Sequence, residues 1–155
     1  GREIDLFNHT EILHMQDVKG LVRGVYWLLI TTALYLLLLI VIGLSIWRSA
    51  MIVPLAKSML WGSCLTIALV ALISIFSLVD FDRMFLMFHR SSFANNYWML
   101  NPYEDYLVML FPTGFWFDAT IFVALLTIGQ STLLGGIGST ILLFRNHRRR
   151  QQHAK

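Results

Sequence analysis

Three long stretches of the chain carry no charged residue, and the segments between and beside them hold all of the charges. The uncharged stretches are residues 24–47, 58–79 and 119–144. A helix rises about 1.5 Å per residue, so each stretch is long enough to cross a hydrocarbon core of about 30 Å. A carboxylate at the centre of such a helix would cost about 3 kcal/mol on insertion scales. The pattern therefore predicts an all-α fold, a polytopic membrane helical bundle with three spans.

The composition agrees with lipid as the solvent for most of the chain. Of 155 residues, 57% are hydrophobic and only 14% are charged, which is unusual for a water-soluble domain. We therefore treat residues 1–155 as a single membrane domain. The single cysteine, Cys64, lies inside the second uncharged stretch, so neither a disulfide framework nor a cysteine-rich zinc motif can form. The formal charge of +3 comes from bases beside the spans, so no nucleic-acid partner is expected.

The distribution of charge predicts which face of the membrane each segment occupies. The loop 48–57, where Pro54 is expected to form a turn, and the tail 145–155 together hold seven bases and no acid. All nine acids lie in residues 1–23 and 80–118, together with five bases. By the positive-inside rule, the loop and the tail face the cytoplasm and the other two segments face outward. Arginines in the tail are expected to anchor this topology near anionic lipid.

An outward-facing N-terminus needs an explanation, because residues 1–23 contain no apolar region of the kind that a signal peptide has. An earlier transmembrane helix would carry this segment across the membrane. We therefore expect that the natural protein has a fourth, N-terminal span ahead of Gly1.

The outer segment 80–118 is long, apolar and aromatic, whereas a solvated loop would be polar. Part of it fits the aromatic belt of a membrane interface. The rest predicts short interfacial helices on the outer face, broken at Asn95-Asn96, at Asn101-Pro102 and at Phe111-Pro112-Thr113-Gly114. A site in this segment would meet lipid-like substrates from the bilayer. In the third span, four glycines are expected to allow close helix packing: Gly129, Gly135, Gly136 and Gly138.

The usual hydrolytic and phosphate-binding motifs are absent from the sequence. It has no Gly-x-Ser-x-Gly elbow, no glycine-rich phosphate loop and no His-Glu-x-x-His pair. Cys64 lies within a span, away from any base on the outer face. Ser91 and Ser92 follow His89, but neighbouring residues of a helix point in different directions.

Two histidines are the best candidates for chemistry. His14 and His89 are separated by two spans, so both fall on the outer face at similar distances from an apolar stretch. Neutral imidazole is the general base best suited to neutral pH, and Asp17, at i+3 from His14, could orient its ring. The two rings should lie within about 10 Å if they act together. Two alternatives stay open: interfacial hydrogen bonding only, and a zinc site that adds His9, although the spacing of His9 and His14 suits one helix face poorly.

The sequences around these histidines resemble the bacterial lipoprotein intramolecular transacylases, integral membrane proteins of the Lit type. One motif is Glu11–Lys19, which reads EILHMQDVK just before a span. The second is Phe88-His89-x-x-x-Phe93, and it is followed by further matching positions: Trp98, Asn101-Pro102, Asp105 and Leu110-Phe111-Pro112. The order of motif, two spans, second motif and last span also agrees. The family has an N-terminal span and an extracytoplasmic portion that this chain lacks.

The resemblance implies a reaction on the outer face of the bacterial cytoplasmic membrane. Such enzymes take a diacylglyceryl-modified lipoprotein and move an ester-linked acyl chain from its N-terminal cysteine's glyceryl group to the α-amino group of that cysteine. The product is a lyso-form lipoprotein. The two functional histidines of the family would be His14 and His89 in this sequence, and neither a cofactor nor a metal is implied.

Other residues receive secondary roles in this hypothesis. We favour His89 as the base, with Asp17 holding His14. Supporting residues that could donate or orient are Asp105 and Asn101, although turn formation alone explains Asn101-Pro102. Candidate substrate-binding residues are Trp98, Arg90 and Lys19, for which an aromatic belt and snorkelling anchors are the simpler interpretations.

Two other classes of function compete with a transacylase. A zinc-dependent membrane hydrolase would require a bound metal, and a non-enzymatic membrane assembly protein would tolerate loss of both histidines. A small transporter is disfavoured, because transporters normally place polar or ionisable groups within their spans, and these spans offer only Ser, Thr, Gln130 and similar groups.

Overall fold

The computed structural model describes residues 6–153, and every regular element in that part of the chain is helical. The elements are α1 (His9–Trp47), a 3-10 turn (Arg48–Ala50), α2 (Ile52–Val79), α3 (Phe81–Ser92), α4 (Tyr106–Leu110) and α5 (Thr113–His153). Three helices, α1, α2 and α5, are long and apolar enough to cross a membrane. The predicted all-α fold with three spans is therefore confirmed.

Helix α1 extends well beyond the uncharged stretch that predicted it. It has 39 residues, and at about 1.5 Å per residue it is about twice as long as a hydrocarbon core is thick. A capping box starts it: Asn8 Oδ1 accepts from the Glu11 backbone N–H at 3.0 Å, and Glu11 Oε2 accepts from the Asn8 N–H at 2.6 Å. Residues 9–23 thus form a charged helical extension that precedes the uncharged span 24–47. This extension carries His14.

The connection between α1 and α2 is shorter than the sequence suggested. Arg48–Ala50 forms a single 3-10 turn, and α2 already begins at Ile52. Pro54, expected at a turn, lies instead in the first turn of α2. Proline is tolerated there because the N–H groups of a first helical turn have no partner within the helix.

The predicted outer segment contains two short helices, α3 and α4, joined by irregular chain. The predicted breaks at Asn95-Asn96 and Asn101-Pro102 fall outside helices, and so do Phe111 and Pro112. The last break was also predicted to include Thr113 and Gly114, which is wrong, because these residues begin α5. Asp80 caps α3, because its side chain accepts a hydrogen bond from the Arg83 backbone N–H. Helix α5 begins at Thr113, ahead of the predicted span 119–144, and so includes the exposed Asp118.

The chain forms two compact units. One, which we call the histidine unit, comprises Gly1–Ala33 and Phe76–Thr120; the other, the span unit, comprises Leu34–Ile75 and Ile121–Lys155. In the histidine unit the buried side chains are mainly polar: Glu11, His14, Ser77, His89 and Phe93. In the span unit they are small: Ala56, Ser63 and Ser131.

Helices α2 and α5 approach closely in the span unit where glycines remove side-chain bulk. A Cβ built on Gly138 would lie 2.7 Å from the Ala56 carbonyl oxygen, and one on Gly135 would lie 3.0 Å from Ser63 Cβ. Gly129 and Gly136 have nothing within 4 Å of such an atom. The predicted packing role is therefore confirmed for Gly135 and Gly138, and within this chain it is wrong for the other two. Apolar residues of this unit such as Leu72 and Leu133 are two-thirds exposed, which suits contact with lipid.

Candidate active site

The two candidate histidines lie side by side in the histidine unit. Their ring centroids are 5.9 Å apart, and the ring planes are inclined by 35°. His14 comes from the charged extension of α1, and His89 from the last turn of α3. Each is only 8% exposed. The predicted proximity of the two rings is confirmed, since they lie well within the reach that a shared proton-transfer site requires.

The helix backbone of α3 determines which nitrogen of His89 carries the proton. His89 Nδ1 lies 2.8 Å from the Phe85 carbonyl oxygen, one turn earlier in the same helix. A carbonyl oxygen can only accept, so Nδ1 must carry the proton of the neutral ring. The other nitrogen, Nε2, then presents its lone pair. That is the tautomer a general base needs.

Aromatic rings surround the His89 imidazole. The ring centroid of Phe85 lies 4.3 Å away, and those of Trp98, Phe88 and Phe93 lie 5.4 to 5.6 Å away. Phe93 also packs edge-on against the His14 ring at 5.2 Å. Charges and dipoles interact more strongly in such an apolar enclosure than in water.

His14 is held in its neutral form. It lies in the charged extension, outside the uncharged span, yet burial lowers the pKa of its ring below the ordinary value near 6.5. The electrostatic influence of His89 lowers the pKa of His14 further, and attraction by Asp17 partly opposes both effects. Its Nδ1 is buried without a hydrogen-bond partner in the described part of the chain. A neutral imidazole with one unoccupied nitrogen can still bind or donate to a reacting group.

Asp17 does not hold the His14 ring as expected. Its Oδ2 accepts a hydrogen bond from Asn95 Nδ2 at 2.8 Å, while Nδ1 of His14 has no partner among the described residues. The amide of Asn95 is the better partner because it can donate to a carboxylate in any protonation state of the site. The charge of Asp17 thus affects the pKa of His14, and its hydrogen bond connects α1 to residues 93–107.

We call residues 93–107, which connect α3 to α4 and include the first two residues of α4, the strap. The strap is bonded to α1 near both of its ends: Asn95 Nδ2 donates to Asp17, and the Leu107 backbone N–H donates to Glu11 Oε1 at 2.7 Å. Glu11 is only 1% exposed. Glu11 and Asp17 lie three residues before and after His14, a spacing that places all three on one face of a helix.

Asp105 and Asn101 shape the strap. Asp105 Oδ1 accepts from Asn8 Nδ2 at 2.6 Å, and its Oδ2 accepts from the Asn101 backbone N–H. Asn101 Oδ1 accepts from the Tyr103 N–H at 3.1 Å, which forms a turn. These hydrogen bonds connect two parts of the strap and connect the strap to the start of α1. Neither Asp105 nor Asn101 forms any of them with a histidine.

Comparison with known proteins identifies the family of the chain. A family model described as lipoprotein intramolecular transacylase Lit matches residues 3–116, which include both histidines and the whole strap. The chain belongs to the Lit family. An uncharacterized protein of Aquifex aeolicus (strain VF5) is 28% identical over 134 residues, which cover 84% of this chain and 56% of that relative. The chain thus spans little more than half the length of this relative. No solved structure matches the chain.

The residues proposed to bind substrate in this Lit-family chain differ in their placement. Trp98 is half-buried and its ring contacts that of His89. Arg90 and Lys19 are exposed, where their charges can meet headgroups or solvent. Their roles in binding stay predictions.

The alternative zinc site lacks a set of ligands in this Lit-family chain. Among residues 6–153, no group of three or more His, Cys, Asp or Glu side chains is gathered as a metal ion would require. His9, His14 and His89 therefore do not form the cluster that this alternative needs.

Sequence reasoning missed Glu11, Phe93 and Asn95 as contributors to the Lit-type site. Glu11 had two signals: the Asn8-x-x-Glu11 capping pattern, and its position on the helix face of His14 and Asp17. Asn95 was assigned only to a break in the chain, because its partner Asp17 is 78 residues away. Phe93 belonged to the quoted motif, but nothing in the sequence showed that its ring lies against both imidazoles.

Proposed function

We propose that this protein is an intramolecular acyltransferase of the outer face of the bacterial cytoplasmic membrane. It moves an ester-linked acyl chain from the diacylglyceryl group of a lipoprotein's N-terminal cysteine to the α-amino group of the same cysteine, leaving lyso-form lipoprotein. The observation that carries the proposal is the buried pair of adjacent imidazoles, His14 and His89, in a chain of the Lit family.

The reaction suits a site that offers bases but no nucleophile. Donor and acceptor belong to one substrate molecule, so binding alone brings the amine and the ester together. No acyl-enzyme intermediate and no added cofactor are then required. An α-amine with a pKa near 8 is mostly protonated at neutral pH, so a base must take up a proton as the amine attacks.

His89 is the base in this proposal. Its Nδ1 donates to the Phe85 carbonyl oxygen, which leaves Nε2 to accept the proton of the attacking amine. As the amine nitrogen bonds to the ester carbonyl carbon, negative charge develops on the carbonyl oxygen and needs a donor. The neutral His14 supplies an N–H, either to that oxygen or to the departing glyceryl oxygen.

The proton balance closes over the two rings. The ammonium form of the amine first releases a proton to solvent, and the free amine then attacks. The bond between the acyl carbon and the glyceryl oxygen breaks, the amide forms, and the glyceryl oxygen gains a proton from His14. His89 then holds one proton more than at the start and His14 one fewer. Return of that proton from His89 to His14, whose ring centroids are 5.9 Å apart, restores the resting site.

The surroundings of the pair suit a lipid substrate. Exposed apolar side chains of α3 and the strap include Met87, Phe88, Met99 and Tyr103, which can lie in the headgroup layer. Arg90 and Lys19 would contact headgroups or the substrate's polar groups. The excess of bases in the connection after α1 and in the tail supports an outward orientation for the site.

Replacement of each histidine tests the proposal directly. His14→Ala and His89→Ala should each reduce formation of lyso-form lipoprotein by about 100-fold or more, measured by mass spectrometry of a reporter lipoprotein. His147→Ala, in the exposed tail, is the matched control and should keep full activity. Full activity in either site variant would remove that histidine from the mechanism, and silence of both would favour the assembly-protein alternative. Zinc bound to the purified protein at one ion per chain would favour the hydrolase alternative.

A further inference from the structure

The strap is fastened to the helix face that carries His14. Asp17 holds it near one end through Asn95, and Glu11 holds it at the other end through the Leu107 backbone N–H. These bonds join positions 78 and 96 residues apart in the chain, so they fix how the strap lies on α1. Glu11 is also buried, so water competes little for its hydrogen bonds.

The strap supplies the aromatic cover of the site, from Phe93, two residues before the Asn95 fastening, and from Trp98, between the two fastenings. Phe93 lies against both imidazole rings, and Trp98 lies against the ring of His89. Because of this cover, both histidines are more than nine-tenths buried, although His89 belongs to a short helix and His14 lies near the start of α1. Removal of the cover would open the histidine pair to solvent.

Water is a chemical competitor in this reaction. A base that removes a proton from an amine can equally remove one from water, whose oxygen then attacks the same ester carbon. The bond between the acyl carbon and the glyceryl oxygen breaks, the glyceryl oxygen takes the proton, and a free fatty acid leaves. The lipoprotein would then lose its acyl chain without gaining an amide. Acyl transfer to the amine therefore depends on exclusion of water from the site.

We propose that Glu11 and Asp17 are positioning residues that keep the strap closed over His14 and His89, and that this closure directs the acyl chain to the amine instead of to water. This proposal rests on the proposed transacylase function and adds that Glu11 and Asp17 determine which of the two products forms. Glu11 and Asp17 act through the strap and touch neither the ester nor the amine. Their loss changes the ratio of the two products as well as the rate.

The experiment measures that ratio in water enriched in ¹⁸O. Purified protein in detergent acts on a diacylglyceryl lipoprotein, and mass spectrometry counts N-acylated lyso-form, deacylated lipoprotein and ¹⁸O-labelled fatty acid. Asp17→Ala and Glu11→Ala should raise the hydrolysed fraction about tenfold over wild type. Because the readout is a ratio, it does not depend on how much of a variant is folded.

An exchange of donor and acceptor gives the sharpest control. Asn95→Asp alone sets two carboxylates against each other and should raise hydrolysis. Asp17→Asn combined with Asn95→Asp restores an amide-to-carboxylate hydrogen bond in the reverse direction and should bring the ratio back towards wild type. The local turn tolerates this exchange, since a carboxylate introduced at position 95 can still accept the Tyr97 backbone N–H that Asn95 Oδ1 accepts now.

A second control lies on the strap itself. Glu104→Gln changes an exposed carboxylate whose residue bonds the rest of the strap through its backbone N–H, so the product ratio should not change. Unchanged ratios in Asp17→Ala, Glu11→Ala and Asn95→Asp would overturn the proposal, as would failure of the exchanged pair to recover. Absence of N-acylated product from the wild-type protein would instead overturn the proposed function.

Discussion

The histidine unit and the span unit are stabilised by different interactions. In the histidine unit, carboxylates and amides join segments that are far apart in sequence, as Glu11 joins Leu107 and Asp105 joins Asn8. In the span unit, hydroxyl groups such as those of Ser139 and Thr140 bond carbonyls of their own helix. There α2 and α5 meet through contacts of small residues with the backbone.

The difference follows from what each unit must achieve. Lipid tails are as apolar as the side chains of a span, so burial of apolar surface gives helices in a membrane little reason to associate, and close packing must hold them. A proton-transfer site needs its groups placed to within a fraction of an ångström, which directional hydrogen bonds can provide. The histidine unit should therefore be destabilised by substitutions that remove a hydrogen-bonding group, and the span unit by substitutions that add bulk.

Loss of the Glu11 carboxylate should have the largest effect on stability. Glu11→Ala leaves the Asn8 and Leu107 backbone N–H groups without their acceptor, at a cost of about 3 kcal/mol. Hydrogen exchange should show the Leu107 amide protected in the wild type and rapidly exchanging in the variant. Glu104→Gln, which removes an exposed charge from the same segment, should leave this protection unchanged. Retained protection in Glu11→Ala would show that the strap does not depend on this hydrogen bond.

Added bulk should matter only where α2 and α5 are in contact. Gly138→Ala places a Cβ against the Ala56 carbonyl oxygen and should cost about 2 kcal/mol, measured by thermal unfolding in detergent. Gly136→Ala in the same helix meets nothing within 4 Å and should be neutral or slightly stabilising, because alanine is the better helix former. Equal effects of the two substitutions would contradict the packing described for the span unit.

The smallest effect is expected from pH, acting on the histidine unit through His14. Burial lowers the pKa of His14 in the folded chain, whereas the unfolded chain binds a proton near pH 6.5. Stability from the neutral ring is thus complete above about pH 6.5 and is lost as pH falls towards the folded-state pKa. The free energy of unfolding of the wild type should fall relative to His14→Gln over this range and run parallel to it from about pH 7 to 8. A constant difference at all pH values would show that burial of His14 is not linked to protonation.

Absence of charge was enough to predict the spans, because charge in the hydrocarbon core is costly. It could not predict where the helices end, since a capping box and the charged residues up to Arg23 extend α1 beyond the uncharged stretch 24–47. Pro54 was misplaced for a related reason: proline marks a turn or a first helical turn, and only the backbone distinguishes them.

The histidine pair could be predicted because topology and the family motifs both placed His14 and His89 on one face. The hydrogen bonds and contacts around the two rings could not be predicted. Local spacing made Asp17 the natural partner of His14, but its hydrogen bond goes to Asn95 in the strap. Glu11 acquires its role only when Leu107 reaches it, and no local pattern encodes a contact over 96 residues.

The bond between His89 Nδ1 and the Phe85 carbonyl has a consequence for how such a site can evolve. In many enzymes a carboxylate side chain fixes the tautomer of the working histidine, and a single substitution can abolish it. Here the acceptor belongs to the main chain, which every amino acid supplies. A helix-forming substitution at residue 85 would therefore change the ring packed on His89 but keep the carbonyl oxygen that holds its Nδ1 proton.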